Sequence, residues 1–189
     1  MRADAQRNVG ALLEAARAVF ARSGVDAPAK EIADLAGVGV GTLYRHFPQR
    51  SDLVVAVLQR GIDACGAAAA AAAREPGAAS LAGWLRQYTE FLSAKRGLAT
   101  ALHSGDPAFD ALPGYFYQQL EPALGALLDA AATAGEIRAG VSARDLLTAV
   151  ALLCHPVSDE PIAYSQRMVA LLVDGLRYPA QLSRPLPAG

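Results

Sequence analysis

Cysteine is scarce in this chain: Cys65 and Cys154 are the only two in 189 residues. Two thiols make no disulfide framework, and each falls in a helical pattern where a buried free cysteine is the common case. Histidine is nearly as rare, at three residues. The adjacent pair Cys154-His155 supplies no metal-ligand set of recognised spacing, so no metal and no cofactor are expected. An activated nucleophile and a carboxylate pair of evident geometry are also missing, which argues against an enzyme. Strong charge of either sign is lacking, with a formal net charge of −1. A long apolar run is lacking too. Leu146 to Cys154 is far too short to span a bilayer, and the N-terminal segment MRADAQRNVGALLEAARAVF has the mixed charge of an amphipathic helix. The expectation is a cytoplasmic protein without a membrane partner.

What remains is helix-forming material. Hydrophobic residues make up 53% of the chain and aromatics only 6%, because Ala, Leu and Val dominate. That composition predicts an all-α fold. The charge is slightly uneven: residues 1–60 carry eight Lys/Arg against six Asp/Glu, whereas residues 61–189 carry nine against twelve. A basic front end agrees with a nucleic-acid module but does not establish one.

Helical periodicity places a first helix from about Asp4 to Arg22, ended by Ser23-Gly24. Pro28 suits the first turn of a second helix, whose apolar side is Ile32, Leu35 and Ala36 and which Gly37 ends. A third helix covers Val40 to Phe47 and Pro48 closes it. A fourth begins near Ser51 and runs to about Arg74, with the alanine tract 67–73 expected to pack tightly on its neighbours. Further helical patterns fall at 79–95, 98–104, 115–134, 142–154 and 161–177. The breaks lie at Gly105 to Pro107, Pro113-Gly114, Gly135 to Gly140 and His155 to Pro161. The resulting division is 1–50 as a three-helix front domain, 51–75 as a connecting helix, 76–180 as a helical back domain and 181–189 as a frayed tail.

The three glycines of GVGVGTLYRHF, Gly37 to Phe47, raise the possibility of a phosphate loop. A Walker loop needs Lys-Ser/Thr after its last glycine, and here Gly41 is followed by Thr42-Leu43. A dinucleotide fingerprint needs a preceding strand, and EIADLA is a helical pattern. The alternative is a helix-turn-helix: Lys30–Ala36, a turn at Gly37-Val38-Gly39, then Val40–Phe47. Ile32, Leu43 and Phe47 complete a small core with Leu12, Ala16 and Phe20. The second helix then turns Val40, Gly41, Thr42, Tyr44, Arg45 and His46 outwards, a surface suited to DNA.

These elements together resemble the DNA-binding domain of TetR-family transcriptional regulators. The likeness is carried by Ala16, Phe20 and Gly24 in A-x-x-x-F-x-x-x-G, by Ile32 to Val38 in I-A-x-x-A-G-V, and by Gly41 to Phe47 in G-T-L-Y-x-x-F. Arg50 and Leu53 supply the trailing R-x-x-L. The resemblance implies a homodimer whose front domains read half-sites of a palindromic double-stranded DNA operator. It makes Thr42 and Arg45 candidate base readers and Tyr44, His46 and Arg50 candidate phosphate contacts. Lys30 stands in for the Thr or Ser common near the start of helix two, and Gly39-Val40 replaces a pair that is often polar or basic.

The resemblance also implies a small, mostly apolar effector in the back domain. Trp84, Tyr88, Phe91, His103, Phe116, Gln119, Leu120 and His155 are the pocket candidates, although the aromatic stripe serves equally well as core. The last two helices, bearing Leu146, Leu147, Val150, Met168, Leu171 and Leu172, are the expected dimer interface. The reading is a ligand-responsive regulator, a repressor released by its effector. The alternative is a helical small-molecule carrier or a protein-interaction adaptor that has lost DNA binding.

Overall fold

The computed structural model describes residues 2–75, 78–94, 98–102, 104–154 and 161–177, and among them no strand occurs. The expected all-α fold is what the chain adopts. In order, the helices are α1 (Arg2–Ser23), α2 (Ala29–Ala36), α3 (Val40–His46), α4 (Arg50–Ala72) and α5 (Ala78–Ala94). Then come α6 (Ala99–Leu102), a 3-10 turn at Pro107–Phe109, α7 (Leu112–Thr133), α8 (Ala143–Leu153) and α9 (Pro161–Arg177). The expected break at Pro113-Gly114 falls instead inside the first turn of α7. Proline costs nothing there, because a first-turn N–H has no helical partner to lose.

The helices group into two compact units. The first comprises Met1–Gly61 with Ala94–Phe116, and the second Ile62–Ser93 with Tyr117–Gly189.

In the first unit, Leu12, Ala16, Val19 and Phe20 of α1 form one buried stripe. They share a core with Ile32 of α2, Leu43 of α3, Phe47, and Leu53, Val54, Val57 and Leu58 of α4. Leu98, Phe109 and Leu112 join the same cluster. Leu35, expected on the apolar side of α2, is 56% exposed. The buried residues of that helix are Ile32 and Ala33, with Ala29 and Ala36 packed beside them. That stripe follows i, i+4, i+7 spacing and leaves Leu35 off the core face.

In the second unit, Leu81, Trp84, Leu85 and Tyr88 of α5 are buried. So are Leu120, Leu124, Leu127 and Leu128 of α7, Leu146, Leu147 and Val150 of α8, and Val169, Val173 and Leu176 of α9. Ser142 caps α8 by accepting from the Asp145 N–H at 3.2 Å, and Gly140 before it takes a positive φ of 77°. The alanine tract packs less than its composition suggests: Ala69 is its one buried member. The close approach is made by Gly66, where a Cβ would sit 3.6 Å from the Gln119 carbonyl oxygen and 3.8 Å from Leu120. α4 is long and apolar enough to cross a membrane. Its buried positions, Leu53, Val54, Val57, Leu58, Ile62, Cys65 and Ala69, recur at helical spacing in the manner of a core helix.

Candidate nucleic-acid interface

The turn between α2 and α3 is set by Gly37. Its φ of 69° and ψ of 28° lie in the left-handed region, where a Cβ is penalised. The Gly37 N–H donates to the Asp34 carbonyl at 3.1 Å and the Val38 N–H to Ala33 at 3.0 Å. This paired closure satisfies the last carbonyls of α2 and redirects the chain within three residues. Gly39 then caps α3 through its carbonyl, which accepts from the Thr42 N–H at 2.9 Å. A second helix thus starts immediately after the first, as a helix-turn-helix requires.

Leu43 and Phe47 face inwards and hold α3 in place. The remaining side chains of α3 divide. Tyr44 is 52% exposed, Arg45 and Gly41 are exposed, and Val40 and Thr42 are half-buried. A Cβ built on Gly41 meets nothing within 4 Å, so the start of α3 is open to close approach. Arg45 makes no hydrogen bond or ion pair among the described residues, and its guanidinium is available in full.

Two of the expected contacts have partly enclosed side chains. His46 is half-buried, with Nε2 enclosed and unpartnered, which removes that atom from any surface contact. Arg50 is also half-buried. Its Nε donates to the Val25 carbonyl at 2.7 Å, an Nη donates to the Ala27 carbonyl, and its guanidinium carbon lies 5.3 Å over the Phe20 ring. Sequence gives no sign of such bonds, because the acceptors are backbone oxygens 25 and 23 residues upstream. Lys30 is exposed and pairs with Asp34 at 2.6 Å across one helical turn. α2 has no side-chain cap, which leaves its first N–H groups without a side-chain acceptor, and its first turn carries Glu31 beside Lys30.

In the second unit, the aromatic stripe is core at two positions. Trp84 donates from Nε1 to the Cys65 carbonyl at 2.9 Å, and the Tyr88 hydroxyl donates to the Leu147 carbonyl at 3.3 Å. Their rings stack, with centroids 5.3 Å apart and planes 11° from parallel. Leu120 is buried, Phe91 is half-buried and Gln119 is exposed, while Phe116, also half-buried, belongs to the first unit. His103 and His155 lie outside the described residues. The expected dimer residues divide as well. Leu146, Leu147 and Val150 are internal core, Met168 and Leu172 are half-buried, and Leu171 is 63% exposed. Leu152 and Ile162 are the further large apolar side chains that α8 and α9 expose.

Comparison with known proteins decides the family. Residues 12–57 match the bacterial regulatory proteins of the tetR family, and residues 75–178 match the C-terminal domain of SbtR-like transcriptional regulators. The chain belongs to the TetR family. Among solved structures, a TetR transcriptional regulator from Streptomyces coelicolor is 35% identical with a TM-score of 0.73, over 89% of this chain and 98% of that one. A TetR regulatory protein from Mycobacterium vanbaalenii is 33% identical with a TM-score of 0.71, over 94% and 99% of the two chains. An HTH-type transcriptional regulator from Staphylococcus aureus is 44% identical over 64 residues, which are 33% of this chain and 35% of that relative. The helix-turn-helix of this TetR-family regulator is therefore a DNA-binding element, and its task is transcriptional regulation.

Proposed function

We propose that this TetR-family protein is a ligand-responsive repressor that works in the cytoplasm. As a homodimer it binds a palindromic operator, and a small, mostly apolar effector releases it. The observation that carries the DNA reading is the state of α3. Arg45 is exposed and uncommitted and Tyr44 is exposed beside it, on a helix anchored from below by Leu43 and Phe47. Arg45 and Thr42 read base edges, while Tyr44, Lys30 and the uncapped N-terminus of α2 hold phosphates. Gly39, Val40 and Gly41 permit close approach, and Val40 meets a thymine methyl.

Leu152, Ile162 and Leu171, with Met168 and Leu172 at the margin, support pairing through α8 and α9. A stable pairing of this kind buries more than ~1,000 Å² in total. The match of residues 75–178 to a regulator's C-terminal domain supports an effector site within that part of the chain. Effector and operator favour different arrangements of the dimer, so each weakens the other by the same coupling free energy.

Selection of random duplex DNA by the purified protein tests this reading. Enrichment of a two-fold symmetric sequence, lost or relaxed in Arg45→Ala, supports it and gives the half-site spacing. No enrichment at moderate salt overturns it and brings the carrier and adaptor readings forward.

A further inference from the structure

We infer that Arg50 is a positioning residue of the DNA-binding domain and not one of its phosphate contacts: it clamps the α1–α2 loop so that α2 and α3 are presented in one arrangement. The inference rests on the DNA-binding reading of α3.

Arg50 is the first residue of α4. Two arms of its guanidinium fork are committed to the carbonyls of Val25 and Ala27, and its face lies over the buried Phe20 ring. The side chain thereby joins three segments: α1 through Phe20, the loop through two backbone oxygens, and α4 through its own backbone. The loop leads directly into Pro28 and the uncapped first turn of α2. Packing alone does not fix it on the side towards α3. A cavity of about 310 Å³ opens there, lined by Asp26, Ala27 and Ala29 on the loop side and by Leu43, Tyr44 and Phe47 on the other. Arg50 and Leu53 line the same space. Val25 and Ala27 themselves belong to the core cluster, and the two hydrogen bonds add to that packing where the cavity interrupts it.

Lysine cannot replace this clamp. An ammonium is a point charge on a flexible stem, whereas the planar fork holds two acceptors at fixed separation and covers a ring at the same time. A phosphate contact asks less of the side chain, since a lysine also binds phosphate, as a point charge.

Arg50→Lys and Arg50→Gln separate the two roles. The measurements are operator affinity as a function of salt and hydrogen–deuterium exchange of the free protein. A positioning role predicts that Arg50→Lys loses about tenfold or more in affinity, the effect of one charged hydrogen bond, while the slope of log K against log salt stays at its wild-type value. It also predicts faster amide exchange across residues 25–31 in both variants, with the centre of α1 still protected. Wild-type affinity in Arg50→Lys, together with a slope lowered by about one in Arg50→Gln, overturns the inference, because that pair marks a lost phosphate contact. Unchanged exchange in residues 25–31 overturns it too. If the wild-type chain binds no duplex at all, the DNA reading fails, and exchange in the free protein still decides whether Arg50 clamps the loop.

Discussion

The hydroxyl of Tyr88 reaches the carbonyl oxygen of Leu147 from inside the second unit, 3.3 Å away, on a residue with no exposed surface. Burial pushes the Tyr88 hydroxyl up from the usual tyrosine range, and the nearby thiols of Cys154 and Cys65 push the same way. The folded chain therefore keeps this proton at pH values where the unfolded chain, titrating near ~10, has given it up. Stability from this group is complete below about pH 10 and is lost as pH rises above it, by up to about 1.4 kcal/mol per pH unit. Urea unfolding at pH 8, 10 and 11 checks this, with Tyr88→Phe as the control. The variant loses about 1 kcal/mol at pH 8 for the missing hydrogen bond and declines less steeply in alkali.

Leu147 and Leu171 belonged to one expected interface, and the structure gives them different surroundings. Leu147→Ala empties part of a core and costs about 2–5 kcal/mol in thermal or urea unfolding. Leu171→Lys acts on a 63% exposed side chain and leaves the fold intact. If α9 pairs with a second copy, that change shifts the molecule towards monomer in sedimentation analysis.

Gly37→Ala tests the turn of the helix-turn-helix. No atom obstructs a Cβ there, so the cost is the left-handed backbone alone, about 1–2 kcal/mol. Melting temperature falls accordingly, with the α-helical circular dichroism signal kept. Operator affinity measured well below the melting temperature changes little.

Gly66→Ala carries the opposite sign. Gly66 lies inside α4, and the added methyl meets its neighbours at ordinary van der Waals distance. Removing a helix glycine stabilises by roughly 0.5–1 kcal/mol, read as a raised melting temperature. A lowered one overturns the description of that contact.

The parts of the fold legible in sequence are those set locally. Helical spacing found the helices, and Gly24 and Gly37 both take the positive φ that helix-stopping glycines require. The α3 surface was legible for the same reason, since Leu43 and Phe47 leave only one face to turn outwards. What escaped was non-local. Leu35 sits in a helix too short for its periodicity to separate two competing apolar stripes. Leu146, Leu147 and Val150 form a stripe that a domestic core and a partner subunit explain equally well. The partners of Arg50 are backbone oxygens, which every residue has and no residue type advertises.

The placement of sulfur adds one more consequence. Both cysteines lie in the second unit, neither in a disulfide, with 5% and 6% of their surface exposed, and the first unit contains none. A thiol reagent added to the native protein thus reacts only as fast as that unit opens. The two residues are a built-in clock for local unfolding, blind to the DNA-reading half, and an effector bound in the second unit would announce itself by slowing the clock.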